Sequence, residues 1–280
     1  MKTFLALFLT SACGAVYAQS PAANPMPDGS RDMYVGVGAA SSPEYAGARE
    51  RSTSAQPLIQ MEWSSGIFVS GLSAGMHLSQ RPALEFGPLL SIHRGRDRDG
   101  NGGGAGGVTD PLPGFVKPSE LRTVNGLRGM HDIKTRLQAG GFLNYYVTPT
   151  VRVTSSLLYG AGNEHDGLVL NLAVQRIAAE ITPHHRISVS AGLNAVNRGY
   201  NASFFGVSGD ESRSSGYAPY APGAGIRDVY VGAGWNWALS PSWMVASGAR
   251  ISRLQGDARN SPLVQRPTNF SVSTGLAYRF

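Results

Sequence analysis

The chain has 280 residues, a formal charge of +6, 42% hydrophobic and only 15% charged residues, and 36 glycines. No stretch approaches the roughly 18 consecutive apolar residues of a membrane-spanning helix, so helical spans are excluded while the weaker signal of barrel strands stays open. High glycine and low charge do not suit a helical enzyme, and arginines scattered along the chain, not gathered into one aromatic-studded patch, disfavour nucleic acid as a partner.

Residues 1–18 combine Lys2, an apolar stretch around Phe4 to Leu9 and the small-residue site Val16-Tyr17-Ala18. They read as a secretory signal peptide cleaved after Ala18. The single cysteine, Cys13, lies inside that segment, so the mature chain is expected to carry no disulfide or thiol chemistry. The rival, a lipoprotein cut before Cys13, lacks the usual Leu three residues upstream in Thr10-Ser11-Ala12-Cys13. Residues 19–32 are then a periplasmic tail and 33–280 the folded body. Beyond Lys2 the only lysines are Lys117 and Lys134, so positive charge is carried by arginine. Arginine suits bidentate contact with phosphate or carboxylate, as in a lipopolysaccharide leaflet or an anionic solute.

Period-two alternation marks candidate strands at 33–40, 54–63, 67–78, 83–93, 133–147, 150–159, 167–181, 185–197, 226–239, 242–252 and 270–280. That is eleven, whereas bacterial single-chain barrels have an even number. The expectation is an all-β transmembrane antiparallel barrel of about twelve strands, with ten as the alternative, and the missing strand is sought in the first hundred residues or in 108–130. Runs of 10–14 residues exceed the roughly 5 or 6 usual in a soluble sandwich.

The connections are of two kinds. Thr148-Pro149-Thr150, Thr182-Pro183-His184 and Ser240-Pro241-Ser242 are near-identical tight turns, with 78–82 a looser relative, because Pro fixes φ and ends the strand. They suit short periplasmic turns. The segments 94–132, 199–225 and 253–269, rich in Gly, Ser, Pro and Arg, suit extracellular loops. Tyr145, Tyr146, Trp235, Trp237 and Trp243 flank the short turns, where an amphipathic ring bridges lipid and headgroups.

The last strand is the clearest. Phe270, Val272, Thr274, Leu276, Tyr278 and Phe280 share one face, and Ser271, Ser273, Gly275, Ala277 and Arg279 share the other. About ten tilted residues cross a bilayer, and a terminal Phe280 two residues after Tyr278 resembles the signal by which outer-membrane proteins are taken up by the barrel assembly machinery.

Other motifs are weaker. Gly102-Gly103-Gly104-Ala105-Gly106-Gly107 lacks the Gly-Lys-Ser/Thr sequel of a phosphate loop and reads as a loop tip. His131-Asp132 and His165-Asp166, with Glu164, have no recognisable nucleophile arrangement, and His184-His185 lacks a third metal ligand and reads as a solvated turn. Neither a catalytic residue nor a cofactor or metal site is expected. Arg94, Arg96 and Arg98 at the mouth of the longest loop suit strand pairing through mixed charges or contact with lipopolysaccharide phosphates, while Arg152, Arg250 and Arg279 point into the lumen.

Several segments together resemble the MltA-interacting protein family, MipA/OmpV. Val35-Gly36-Val37-Gly38 and Pro43-Glu44-Tyr45-Ala46-Gly47 look like its first strand and Pro-x-Tyr-x-Gly element; Gly87-Pro88 leading to Arg94-Gly95-Arg96 looks like the next landmark. Tyr200, Phe204-Phe205-Gly206-Val207, Ser215-Gly216, Tyr220 and Ala224-Gly225 follow its long loop. Most specific is the run from Arg253 through Gly256, Asp257, Ser261 and Pro262 to Val264, closed by Gly275 to Phe280. The glycine-rich stretch 100–107 looks like an insertion, and Phe204 stands where Tyr is usual. The resemblance implies an outer-membrane scaffold joining a lytic transglycosylase to a peptidoglycan synthase, a penicillin-binding protein, with adhesin roles in some relatives. An anion-preferring channel with an arginine-lined lumen and an adhesin acting through its loops are the alternatives. Gly256, Asp257, Ser261 and Pro262 read as loop-folding before ligand-binding residues, since Asp caps turns and Gly permits positive φ.

Overall fold

The computed structural model describes residues 33–79, 81, 83–96, 126–182 and 184–280. Residues 1–18, expected as a signal peptide, residues 19–32, expected as a tail, the glycine-rich stretch 100–107 and Arg98 lie outside the described residues. Twelve antiparallel strands close into a barrel in sequence order. They are β1 (Tyr34–Pro43), β2 (Arg51–Glu62), β3 (Ile67–Ser70), β4 (Ser73–Met76), β5 (Leu84–His93), β6 (Arg136–Thr148), β7 (Val151–Ala161), β8 (Gly167–Thr182), β9 (His185–Val196), β10 (Gly225–Ala238), β11 (Trp243–Leu254) and β12 (Thr268–Arg279). Closure is made by β1 on β12, from Tyr34 opposite Arg279 to Ser41 opposite Val272. None of the described helices is long and apolar enough to cross a membrane.

The twelfth strand comes from 67–78, expected as one strand. Gly71, with φ of 58°, and Leu72 turn the chain between Ser70 and Ser73, and β3 and β4 pair with each other over four positions. Positive φ at that turn costs glycine little, whereas a β-branched residue would be strained there.

Alternation sorts the side chains. Val35, Val37, Leu90, Leu137, Leu143, Leu157, Val174, Val231, Ile251, Phe270 and Leu276 are exposed on the outside. A continuous apolar belt of this kind is stable only against lipid. Trp235, Trp237, Trp243, Tyr145 and Tyr278 border it beside the short turns, Trp243 meeting Tyr278 edge-on at 5.1 Å. The inner face is small and polar, and glycine is required where walls come close. A Cβ on Gly275 would lie 2.7 Å from Gly38 Cα across the closing seam and 2.5 Å from Leu58 Cδ1.

Candidate functional site

At the long-loop end the connections fold into a cap with a core of its own. Helix α1 (Arg198–Phe205) follows β9 directly, α2 (Gly209–Ser215) comes next, and α3 (Gly256–Asn260) lies between β11 and β12. Asn197 caps α1 by accepting from the Tyr200 N–H, and Ser208 with Glu211 forms a reciprocal capping box on α2, which ends at the left-handed Gly216.

Two buried clusters hold the cap. One joins Tyr45, Ala48, Leu127, Met130, Val207 and Leu263, with Tyr217 and Tyr220 against it; the other joins Ala161, Val196, Tyr200, Phe205, Leu254 and Ala258. Leu127, Leu254 and Leu263 are at most 1% exposed, so these clusters are as dry as a soluble core.

The sequence motifs converge here. Tyr45, beyond Pro43 at the end of β1, donates its hydroxyl to the Leu263 carbonyl at 3.2 Å, 218 positions away. Burial, then Tyr217 and Glu50 beside it, raises its pKa above the ordinary tyrosine value, so the hydroxyl keeps its proton. Gly47 has φ of 98° and its carbonyl accepts from the N–H groups of both Gln265 and Arg266. Any Cβ there would come within 2.9 Å of Val264. Ser261, 4% exposed, donates to the Phe205 carbonyl at 2.6 Å and opens a turn in which the Val264 N–H returns to the Ser261 carbonyl, Pro262 taking the position proline favours. The Gly206 N–H caps α1 on the Ala202 carbonyl. Gly256, with φ of 49°, starts α3, and the Asp257 carboxylate accepts from the Gly223 N–H at 2.7 Å. Tyr278 and Phe280 lie apart, on the outer wall at the short-turn end.

Helix α1 also crosses the barrel mouth. The Tyr200 hydroxyl bridges His93 on β5, at 3.3 Å, and Arg227 on β10, which donates to it at 2.6 Å. Arg227 in turn pairs with Asp228, which accepts from Asn194 on β9, and Asn194 accepts from Asn171 on β8. This polar chain links four strands of the wall through one helix. Alternation could have marked Asn171, Asn194 and Asp228 as inward-facing polar residues; no local pattern marks His93 or Tyr200 as their connection.

Other sequence expectations sort as follows. Arg152, Arg250 and Arg279 face the lumen, Arg152 pairing with Glu85 at 3.7 Å and with Gln175, Arg250 lying 3.5 Å over the Tyr230 ring, and Arg279 over Tyr34. Arg96 is not a rim residue: it is 4% exposed and donates to the Phe204 carbonyl beneath α1, because its bridge to Ile133 turns the chain inward. His185 is not a solvated turn residue either, since β9 begins there and its ring stacks on Trp235 and Trp237. His131 contacts Glu211 at 3.4 Å, while His165 sits in the β7–β8 loop with φ of 59°. Among the described residues no three potential metal ligands gather.

A closed antiparallel barrel with an apolar belt, aromatic borders, short turns at one end and long loops at the other is an outer-membrane β-barrel. The chain belongs to the family of the MltA-interacting protein MipA, whose model matches residues 35–280. No curated protein matches the sequence. Solved structures similar to it include the NanC porin (9% identity, TM-score 0.46, covering 89% of this chain and 100% of that one) and the KdgM porin (8%, 0.44, 88% and 99%). The translocator domain of the autotransporter NalP from Neisseria meningitidis is another (11%, 0.43, 89% and 88%). The barrel rests on its own strand pairing, independently of these likenesses.

Proposed function

We propose that this barrel is a non-enzymatic outer-membrane scaffold that holds murein-remodelling proteins, a lytic transglycosylase and a penicillin-binding protein, at the inner surface of the outer membrane. The family match over 35–280 carries this reading, since the family is named for binding a transglycosylase. The mouth geometry supports it against an open channel, because Tyr200 of α1 contacts both β5 and β10 across the opening. A periplasmic partner would dock on the tail 19–32 and on the short turns around 149–150, 183–184 and 239–242, the long loops being on the far side of the membrane. Lipopolysaccharide around the belt and the barrel assembly machinery reading Tyr278 and Phe280 complete the proposed partners.

The test is affinity capture from detergent-solubilised outer membranes with the mature chain, checked as folded by its heat-modifiable gel mobility. Retention of a lytic transglycosylase and a penicillin-binding protein, lost when the tail and turns are substituted, is the expected result. A heat-shifted barrel that retains neither, and that gives steady anion-selective openings in planar bilayers, would replace the scaffold with a channel.

A further inference from the structure

Around the closing seam the outer wall carries charge at one end only. Arg51, opposite Pro43, shares the outward face of Pro57 and Val37, and Arg253 stands two residues beyond the outward Ile251. By the period of two, both point away from the lumen at the long-loop border of the apolar belt, and both are exposed. Strands β1 and β12 run between them. Arg51 reaches across β1: its Nη1 donates to the Phe270 carbonyl of β12 at 2.7 Å and its Nη2 to the Ser41 carbonyl at 3.0 Å. Its guanidinium lies 5.7 Å from the centre of the Phe270 ring. Arg253 stands opposite Thr268, which is two residues, about 7 Å, above Phe270 on the same face. The two cations thus flank one strand.

This part of the wall has no counter-charge of its own. The partners of Arg51 are carbonyls and the Ser41 hydroxyl, which orient a guanidinium without neutralising it, and Arg253 has no side-chain partner among the described residues. The outward positions of β1, β2, β11 and β12 hold no carboxylate. Those of the flanking loops turn elsewhere: Glu44 and Glu50 lie close enough to the buried Tyr45 to act on its hydroxyl, one Glu50 oxygen being itself buried, and Asp257 accepts from the Gly223 N–H. The same loops add two more exposed cations, Arg49 and Arg266. On β5, β6, β7 and β10 the outward residues at this border are Ile92, Leu137, Tyr159 and Val229, with no charge among them. Positive charge is therefore gathered at the seam, where like charges repel unless an anion lies among them.

We propose that Arg51 and Arg253, with Phe270 between them, bind the phosphate groups of a lipopolysaccharide molecule on the outer face of the closing seam. Each guanidinium fork takes phosphate oxygens in bidentate fashion, and Phe270 and Ile251 meet the acyl chains just below. Position makes the ligand a lipid and not a free phosphate. The two arginines stand where the apolar belt ends, so a molecule that buries chains in the belt and holds phosphates at its edge meets both. The site rests on the lipopolysaccharide contact proposed above and gives it residues; the murein scaffold plays no part in it.

Binding of fluorescently labelled lipopolysaccharide to the detergent-purified, heat-modifiable full chain tests this, with dephosphorylated lipopolysaccharide and inorganic phosphate as competitors. Saturable binding is expected, with the dephosphorylated lipid competing about tenfold or more less well than the intact one and inorganic phosphate at about 10 mM not displacing it. Arg51→Gln combined with Arg253→Gln should weaken binding about tenfold or more. Arg176→Gln, exposed on the outer face of β8 at the short-turn end, removes the same charge from the other leaflet and should leave binding unchanged. Arg253→Gln alone, weakening binding several-fold, decides the matter if the Arg51 variant does not fold, since its side chain holds nothing else in place. Equal binding by the unaltered chain and the double variant would leave the lipopolysaccharide contact standing and overturn the site, whereas no binding by the unaltered chain would overturn both. Equal weakening in Arg176→Gln, or displacement by inorganic phosphate, would also overturn the site.

Discussion

The wall from β6 to β12 and the wall from β2 to β5 are built differently. In the first, strands of 11 to 16 residues pair over most of their length, as in the unbroken register from Asp228 opposite Leu254 to Ala238 opposite Met244. In the second, β2 meets β3 at three positions, from Gln60 to Glu62, and β4 meets β5 at three more. Above the β3–β4 hairpin the outer half of β2 is paired with β1 alone among the described residues. The Gly71 N–H reaches the Ile59 carbonyl, so residues of the same parity, Arg51, Thr53, Ala55 and Pro57, aim their backbone groups at the edge that has no strand partner among the described residues. Pro57 has no N–H to leave unpaired there, which is the edge position a strand proline tolerates. A barrel wall can thus be thinned where sequence removes the need for a partner.

The sharpest way to break the comparison is to move the proline. Val231 on β10 pairs with Ile251 on one side and Ala191 on the other. Val231→Pro removes a ladder bond in a doubly paired strand and is expected to cost about 3 kcal/mol or more. Loss of the heat-modifiable species on gels would report it. Pro57→Ala should leave that species intact, and comparable loss in both variants would mean the β2 edge is paired after all.

The next effect concerns how the cap ties the two walls together. Tyr45 belongs to the β1–β2 loop and Leu263 to the loop before β12, and they meet in one buried cluster. Leu263→Ala should cost about 2–5 kcal/mol of cap stability. Hydrogen exchange is expected to quicken in 45–48 and along the singly paired part of β2 before any change in β7 to β11. Uniform quickening around the barrel would show the walls to be equally stable. Smaller again, Ser261→Ala and Tyr45→Phe each remove one hydrogen bond across the cap, worth about 1 kcal/mol, read as faster exchange confined to 205–207 and 261–265.

The two walls were unequally legible in the sequence, for physical reasons. Where alternation runs for ten residues into a Thr-Pro-Thr or Ser-Pro-Ser turn, period and punctuation agree, and β6, β7, β10 and β11 follow. In 67–78 the outward face passes from odd positions, Ile67 and Val69, to even ones, Ala74 and Met76, across Gly71 and Leu72, but each strand is only four residues long, too short for the change of parity to stand out, and the hairpin reads as one long strand. The cap was legible only as separate motifs. Pro43, Tyr45, Gly47, Phe205, Gly206, Gly256, Asp257, Ser261 and Pro262 were marked individually, but nothing local says that Tyr45 meets Leu263 or that Ser261 reaches Phe205. Arg96 escaped for the same reason, its burial being decided by α1, more than a hundred residues away.

The smallest expected effect lies at the join between the walls. The segment leading into β6 is pinned to α2 by Glu211, whose carboxylate accepts from the His131 N–H at 3.0 Å and the Ser208 N–H at 2.9 Å. Burial raises the Glu211 pKa, but the hydrogen bonds from the His131 and Ser208 N–H groups outweigh it and hold it below the ordinary 4.5. A folded-state pKa below the unfolded one contributes stability that is present above the unfolded value and is lost as pH falls through the folded value. Protection of amides in 127–131 and 209–215 should therefore hold from neutral pH down to about 5 and decline below about 4, with the barrel strands unaffected. Glu211→Gln removes the titrating group, so its protection should be lower at neutral pH and flat across that range. An acid-induced decline that persists in Glu211→Gln would place the pH-sensitive contact elsewhere in the cap.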